Sequence, residues 1–283
     1  MRTKPFGATG VDVAVVGQGT WDVPESGAAK TQARAAIRRG IELGMTHLDT
    51  AEMYGAGAVE EILGEAIEGI PRESLFVTSK VLPSNATYEG TLAACERTLR
   101  RLKTEYLDLY LLHWPSPHPL AETMRALSAL VSAGKTRFVG VSNFDVDEML
   151  EARRHLRGVP LACNQVLYHL HERGIERRLI PAAKELDIAI VAYTPFGRRR
   201  FPAKEAAGGG VLDRIARKHG ATARQVVLAF LTRESNVFTI PKASNVQHVE
   251  ENAAAADLAL DADDVAAIDA AFPAGDGGTL ATL

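Results

Sequence analysis

Ile188-Ala189-Ile190-Val191-Ala192 is an apolar run with no polar interruption, and its continuity decides how the rest of the chain is read. A strand with one face in water alternates polar and apolar residues. An unbroken run belongs to a strand covered on both faces, as in parallel sheets flanked by helices. This run extends over Ile188 to Thr194. Others of strand character are Val13 to Thr20, Met45 to Thr50, Leu75 to Lys80, Tyr106 to His113, Thr136 to Asn143, Leu161 to Val166 and Asn236 to Lys242. Between them the apolar spacing turns helical: Ala33, Ile37, Ile41; then Val59, Ile62, Leu63, Ala66, Ile67; then Leu120, Met124, Leu127, Val131. Strand and helix in alternation make the strands parallel, and this set closes most simply into an α/β fold, a (β/α)8 TIM barrel.

Residues 4 to 12 fall outside the repeat and read as an N-terminal β-hairpin with Gly7 and Gly10 as turn residues. After Lys242 come extra C-terminal helices, Val246 to Ala256 and Asp263 to Ala271, and then a Gly-rich tail. The run Gly208-Gly209-Gly210 reads as a loop ahead of a helix. No Pro-, Gly- or Ser-rich linker divides the chain, so residues 1–283 are expected to form a single domain. A short Gly-rich tail implies a relatively open pocket.

At 46% hydrophobic over 283 residues, the chain can bury one large core. Its 32 Lys and Arg against 35 Asp and Glu leave a net charge of -3, which provides no broad basic field for nucleic acid or an anionic membrane. Cys95 and Cys163 read as small buried apolar residues, with no disulfide framework or thiolate metal site. No apolar run is long enough to span a bilayer and Met1 to Pro5 leads into no signal core, so a cytoplasmic protein is expected. Its composition is compatible with a monomer.

The polar residues at the carboxyl ends of the strands carry the chemistry, because that face of a (β/α) barrel holds the active site. Asp49, Lys80 and His113 end the second, third and fourth runs, Ser142 and Asn143 the fifth, and Gln165 lies near the end of the sixth. Tyr54, one short turn beyond Asp49, can hang over the barrel mouth. Reduction of a carbonyl leaves negative charge on oxygen that must be stabilised and protonated. A phenol with a pKa of ~10 is a poor acid near neutrality, and an adjacent ammonium lowers that value. Lys80 is the expected source of that charge, with Asp49 orienting it and His113 directing the carbonyl oxygen. Singly, an ion pair of Asp49 with Lys80 and a core histidine would be unremarkable readings; together on consecutive strand ends they favour function.

These segments resemble the aldo-keto reductase family over nearly the whole chain. The resemblance rests on Gly19-Thr20-Trp21, His47-Leu48-Asp49-Thr50-Ala51-Glu52-Met53-Tyr54-Gly55, Lys80, Tyr106 to Pro115, Gly140-Val141-Ser142-Asn143-Phe144, Asn164-Gln165-Val166 and Ile240-Pro241-Lys242. It implies a barrel that binds NADPH in extended form without a Rossmann domain, and no G-x-G-x-x-G follows a strand here. It implies Tyr54 as general acid, Lys80 and Asp49 as the groups that tune it, and His113 as the residue that orients a small-molecule aldehyde or ketone. Ser142, Asn143 and Gln165 would hold the nicotinamide carboxamide, Tyr193 would stack on its ring, and Thr194, Pro195, Phe196 and Gly197 would follow the pyrophosphate. Lys242 with Ser244 would meet the 2′-phosphate, and Glu251 and Asn252 the adenine. Gly19, Thr20 and Ile240 belong to the same cofactor set. Trp21, Met53 and Trp114 would wall the substrate pocket.

The chain departs from the family at Ala243, which often has a hydroxyl counterpart, and at His248, where many members carry Arg. A histidine lacks the permanent charge and fork of Arg, so NADPH is expected, with NADH also accepted. Arg198-Arg199-Arg200 reads as a solvated loop or an aid to the pyrophosphate. His169 and His171 resemble metal-ligand spacing without a third ligand. Two other readings stand beside the reductase: a cofactor-binding regulatory subunit on a similar barrel, as in potassium-channel β-subunits, and a metal-dependent barrel enzyme using His113, His169 and Asp49.

Overall fold

The computed structural model describes the backbone of residues 1–283 and the side chains of all of them except Arg199. The chain opens with β1 (Thr3–Pro5) and β2 (Asp12–Ala14), an antiparallel pair. Gly7 (φ 51°) and Gly10 (φ 69°) lie in the left-handed region within their connection. There follow β3 (Gln18–Gly19), α1 (Gly27–Glu42), β4 (His47–Asp49), α2 (Ala58–Ile67), β5 (Phe76–Val81), α3 (Tyr88–Leu102), β6 (Leu107–Leu112), α4 (Leu120–Ser132), β7 (Thr136–Ser142), α5 (Val146–His155), β8 (Leu161–Leu167), α6 (Leu179–Glu185) and β9 (Ala189–Tyr193). The chain then adds α7 (Ala207–Lys218), α8 (Ala223–Leu231), β10 (Val237–Thr239), α9 (Val246–Ala254) and α10 (Ala262–Ala271).

Strands β3 to β10 form one eight-stranded sheet in sequence order, every pairing parallel. The two edges meet through Gly17 N to Thr239 O (2.8 Å), Thr239 N to Val15 O (3.0 Å) and Gly19 N to Pro241 O (3.2 Å), which close the sheet into a barrel. On the outside, α9 packs on α1 to complete the ring of helices, and α10 packs on α7.

Strand alternation divides the apolar residues into two cores. Leu48, Val77, Tyr110, Leu112, Val166 and Ile190 face the helices, whereas Phe76, Leu109, Leu111, Cys163, Val191 and Phe238 fill the barrel. Phe6 from the hairpin closes the amino-terminal end of the barrel, its ring centroid 5.0 Å from that of Phe76 and 4.9 Å from that of Phe238. The same alternation aims Asp49, Lys80, His113, Gln165 and Tyr193 inward at the opposite end.

Two expectations need correction. The run Val13 to Thr20 is not one strand: its first residues pair in the hairpin, and only Gln18–Gly19 joins the barrel. Here the backbones run unusually close, since a Cβ on Gly17 would lie 2.6 Å from His47 O and one on Gly19 2.6 Å from Ile240 O. Second, Gly208-Gly209-Gly210 is the first turn of α7 rather than a loop. A Cβ on Gly209 would sit 1.8 Å from Ala203 O, and one on Gly208 2.4 Å from the Phe272 ring. Gly208 and Gly209 serve close packing, which outweighs their cost in a helix.

Candidate active site

Lys80 is fully buried, and its ammonium donates to Asp49 Oδ1 (2.7 Å), to the backbone oxygen of Thr50 (2.8 Å) and to Tyr54 Oη (3.4 Å). The other oxygen of Asp49, Oδ2, accepts from Gln165 Nε2 at 2.7 Å. With both oxygens receiving short hydrogen bonds, we read Asp49 and Lys80 as an ionised pair. Burial pushes the Asp49 carboxyl up, and the Lys80 charge and the two hydrogen bonds offset this only in part, so its pKa lies above the ordinary Asp value and the ionised pair is read from the short contacts. For Lys80, burial pulls down, Asp49 and Tyr54 pull up, and the balance lies above the ordinary lysine value.

Tyr54 corrects a further expectation. Burial raises its pKa, Lys80 opposes that rise, and the net direction is upward rather than downward. The phenol therefore holds its proton at neutral pH, with the buried Lys80 ammonium beside its oxygen. His113 meets the edge of Tyr54 at 5.8 Å between ring centroids and stacks on Trp114 at 3.9 Å. Burial, then the Lys80 charge, lowers its pKa to about 2, so the ring is neutral and has one N–H to donate.

The loop carrying Tyr54 is pinned to the strand carrying Lys80 by Glu52. This buried carboxylate accepts from Leu82 N (2.8 Å) and Asn85 Nδ2 (2.9 Å) and pairs with Arg97 (3.3 Å). On the far side, Asn143 Nδ2 donates to His113 O (3.1 Å) and Asn143 Oδ1 accepts from Tyr193 Oη (2.7 Å). Ser142 Oγ donates to Gln165 O (2.8 Å).

These groups open onto a cavity of about 490 Å³, within the usual range for small-molecule sites. Its walls bring together Gly19, Trp21, Asp49, Met53, Tyr54, His113, Trp114, Ser142, Asn143, Gln165, Tyr193, Thr194, Pro195, Phe196, Ile240 and Lys242 from the sequence reading. Lys80 sits behind Asp49 and Tyr54, and Thr20 is tied by Oγ1 to Asp49 O at 2.9 Å. Gly197, Ala243, Ser244, His248, Glu251 and Asn252 lie off these walls. His248 is exposed at the start of α9, its Nδ1 3.0 Å from the Asn245 amide, and Glu251 O accepts from Gln225 Nε2 at 3.0 Å.

The cavity also contains residues that received no assignment, namely Asp22, Arg224 and Leu283. A signal for Arg224 was present: the capping box of Thr222 with Gln225 marks the start of α8, and a helix returning from the carboxyl face of a barrel starts at that face. The tail is not simply short and open. Residues 275–282 line a groove beside Trp114 and Asn143, and Leu283 reaches the main cavity. His169 and His171 lie 6.4 Å apart between ring centroids, and among the described residues no group of three His, Cys, Asp or Glu is arranged to hold a metal. No described helix is long and apolar enough to cross a membrane.

The pattern of strand-end groups in a closed parallel barrel has a direct counterpart among known families. The aldo/keto reductase family model matches residues 15–272. The chain belongs to that family and is an oxidoreductase. It is 42% identical over 269 residues to methylglyoxal reductase YeaE of Escherichia coli (strain K12), covering 95% of this chain and 94% of that protein. It is 36% identical over 263 residues to glyoxal reductase of Bacillus subtilis (strain 168), covering 92% and 90%. A crystal structure of an aldo/keto reductase from Klebsiella pneumoniae in complex with NADP and acetate superposes with a TM-score of 0.92 at 39% identity, covering 99% of each chain.

Residues suited to a phosphorylated dinucleotide are also present. Lys242 has no carboxylate or hydrogen-bond partner among the described residues, and Ser244 Oγ is buried without one. No donor among the described residues reaches the amide oxygen of Gln165, which suits it to accept from a carboxamide.

Proposed function

We propose that this aldo/keto reductase uses NADPH to reduce small aldehydes, 2-oxoaldehydes among them, to alcohols. The observation that carries the reading is the single hydrogen-bonded group of Asp49, Lys80 and Tyr54 beside a neutral His113. The substrate class is supported by the names of the relatives, a methylglyoxal reductase and a glyoxal reductase.

Lys242 and Ser244 would hold the 2′-phosphate, Ser142, Asn143 and Gln165 the carboxamide, and Tyr193 the nicotinamide ring. Thr194 to Gly197 would hold the pyrophosphate, and Glu251 and Asn252 the adenine. When bound, NADPH supplies hydride to the carbonyl carbon. His113 donates its N–H to the carbonyl oxygen and fixes its direction, with Trp21, Met53 and Trp114 around the rest of the substrate. Tyr54 gives its proton to that oxygen, and the phenolate it becomes is held by the Lys80 ammonium, which Asp49 keeps charged. The whole chain acts as one domain, a monomer in the cytoplasm.

The test is NADPH consumption with methylglyoxal, together with NADPH binding followed by quenching of Trp21 and Trp114 fluorescence. Tyr54→Phe should lose turnover by at least about a hundredfold and still bind NADPH. Wild-type turnover by that variant would overturn the assigned acid, and tight NADPH binding by a wild-type protein inert toward a broad carbonyl panel would favour the regulatory reading.

A further inference from the structure

Three basic residues line the cavity without an ion pair among the described residues: Arg198, which stands 4.5 Å from the centroid of the Trp21 ring, Arg224 and Lys242. Among the described residues, neither Lys242 nor Arg224 lies within ion-pair or hydrogen-bond distance of any acceptor, although both line the same cavity. Arg224 is nevertheless held in place. It occupies the second position of α8, and its guanidinium lies 4.8 Å from the centroid of Phe196 and 4.5 Å from that of Phe201. Those two rings meet edge to face at 5.9 Å. Contact with the two rings holds the guanidinium at the cavity wall, and none of its N–H groups has an acceptor among the described residues.

We infer that Arg224 is a phosphate-binding residue for the dinucleotide, supplying from α8 the permanent charge and bidentate donors that His248 on α9 lacks. The inference rests on the NADPH reading above. Phe196 belongs to the loop that would follow the pyrophosphate, and Lys242 is the residue expected at the 2′-phosphate. Arg224 is thus within the region where the ligand carries its negative charge, with its donors open to a phosphate entering the cavity.

The experiment measures Kd for NADPH and for NADH by fluorescence quenching, at low and high salt, in wild type, Arg224→Gln and Arg224→Lys. Arg224→Gln keeps a good helix former and removes the charge, the fork and the contact of the guanidinium with the two rings. It should weaken NADPH by about tenfold at low salt, with a shallower salt dependence, and Arg224→Lys should recover part of the loss. A loss shared by NADPH and NADH assigns the contact to the pyrophosphate; a loss confined to NADPH assigns it to the 2′-phosphate. Unchanged Kd and salt slope for both cofactors would overturn the inference. A wild-type protein that binds neither cofactor would instead overturn the reading on which it rests.

Discussion

Replacing Lys80 with methionine tests the central arrangement, because it removes one charge and leaves the shape nearly filled. In the wild type the ammonium has three partners, at 2.7, 2.8 and 3.4 Å, and no exposure to solvent. Without it, Asp49 is left 1% exposed with Gln165 as its remaining donor. Breaking a buried pair from one side costs roughly 3–5 kcal/mol, reduced here to the extent that Asp49 takes up a proton instead. Tyr54 meanwhile loses the group that opposes its burial, so its pKa rises further, and each unit corresponds to about 1.4 kcal/mol. The expected result is lower stability in urea together with a fall in kcat of about a hundredfold or more. The two effects separate on adding Asp49→Asn: stability should recover by more than about 1 kcal/mol, because the orphaned carboxylate is gone, while turnover stays low. If Lys80→Met kept kcat within about threefold, or if the double variant were no more stable than the single one, the ionised pair would not be what supports Tyr54.

Other perturbations reach different parts of the site. Burial, then the Lys80 charge, holds His113 to a pKa of about 2 and His47 to about 3, below the unfolded value of 6.5. The unfolded chain therefore binds more protons as pH falls from 6.5, and stability is lost in that direction. The two rings together account for roughly 4 kcal/mol between pH 7 and pH 5. Urea midpoints should show His113→Gln losing about half as much of this component as the wild type, and an unchanged pH slope would count against neutral burial. Lys242→Ala should lower kcat/KM with NADPH by about tenfold and leave NADH almost unaffected; equal efficiency with NADPH would remove Lys242 from the 2′-phosphate site.

How much could be read from sequence depended on whether a feature repeats along the chain or arises only where distant segments meet. The inward positions Asp49, Lys80 and His113 were legible because each ends a strand-like run, and alternation then sends them into one mouth. The first barrel strand was misjudged because β3 is only Gln18–Gly19, and its partner residues Val15 to Gly17 join the other edge by isolated bonds. A two-residue strand has no period. Gly208 to Gly210 differ: their composition says loop, but Phe272 and the backbone of Ala203 leave no room for a Cβ on Gly208 or Gly209 in the first turn of α7.

The pKa of Tyr54 marks a different limit. The sequence identified Lys80 as the charge beside the phenol, and the sign of that interaction is right, but the net direction depends on how deeply the ring is buried. Burial is a property of the assembled site, where Val23, Ala33, Val59 and Ile62 pack on the ring and His113 meets its edge. Arg224 shows the same dependence from the other side. Its helix start was encoded locally by Thr222 and Gln225, yet its lack of an acidic partner emerges only when α8 is set against the loop bearing Phe196 and Phe201. In this barrel the residue types that could do the chemistry are a local matter. Which of them holds a proton, and which charge is left free for a ligand, is decided by the neighbours that closure brings.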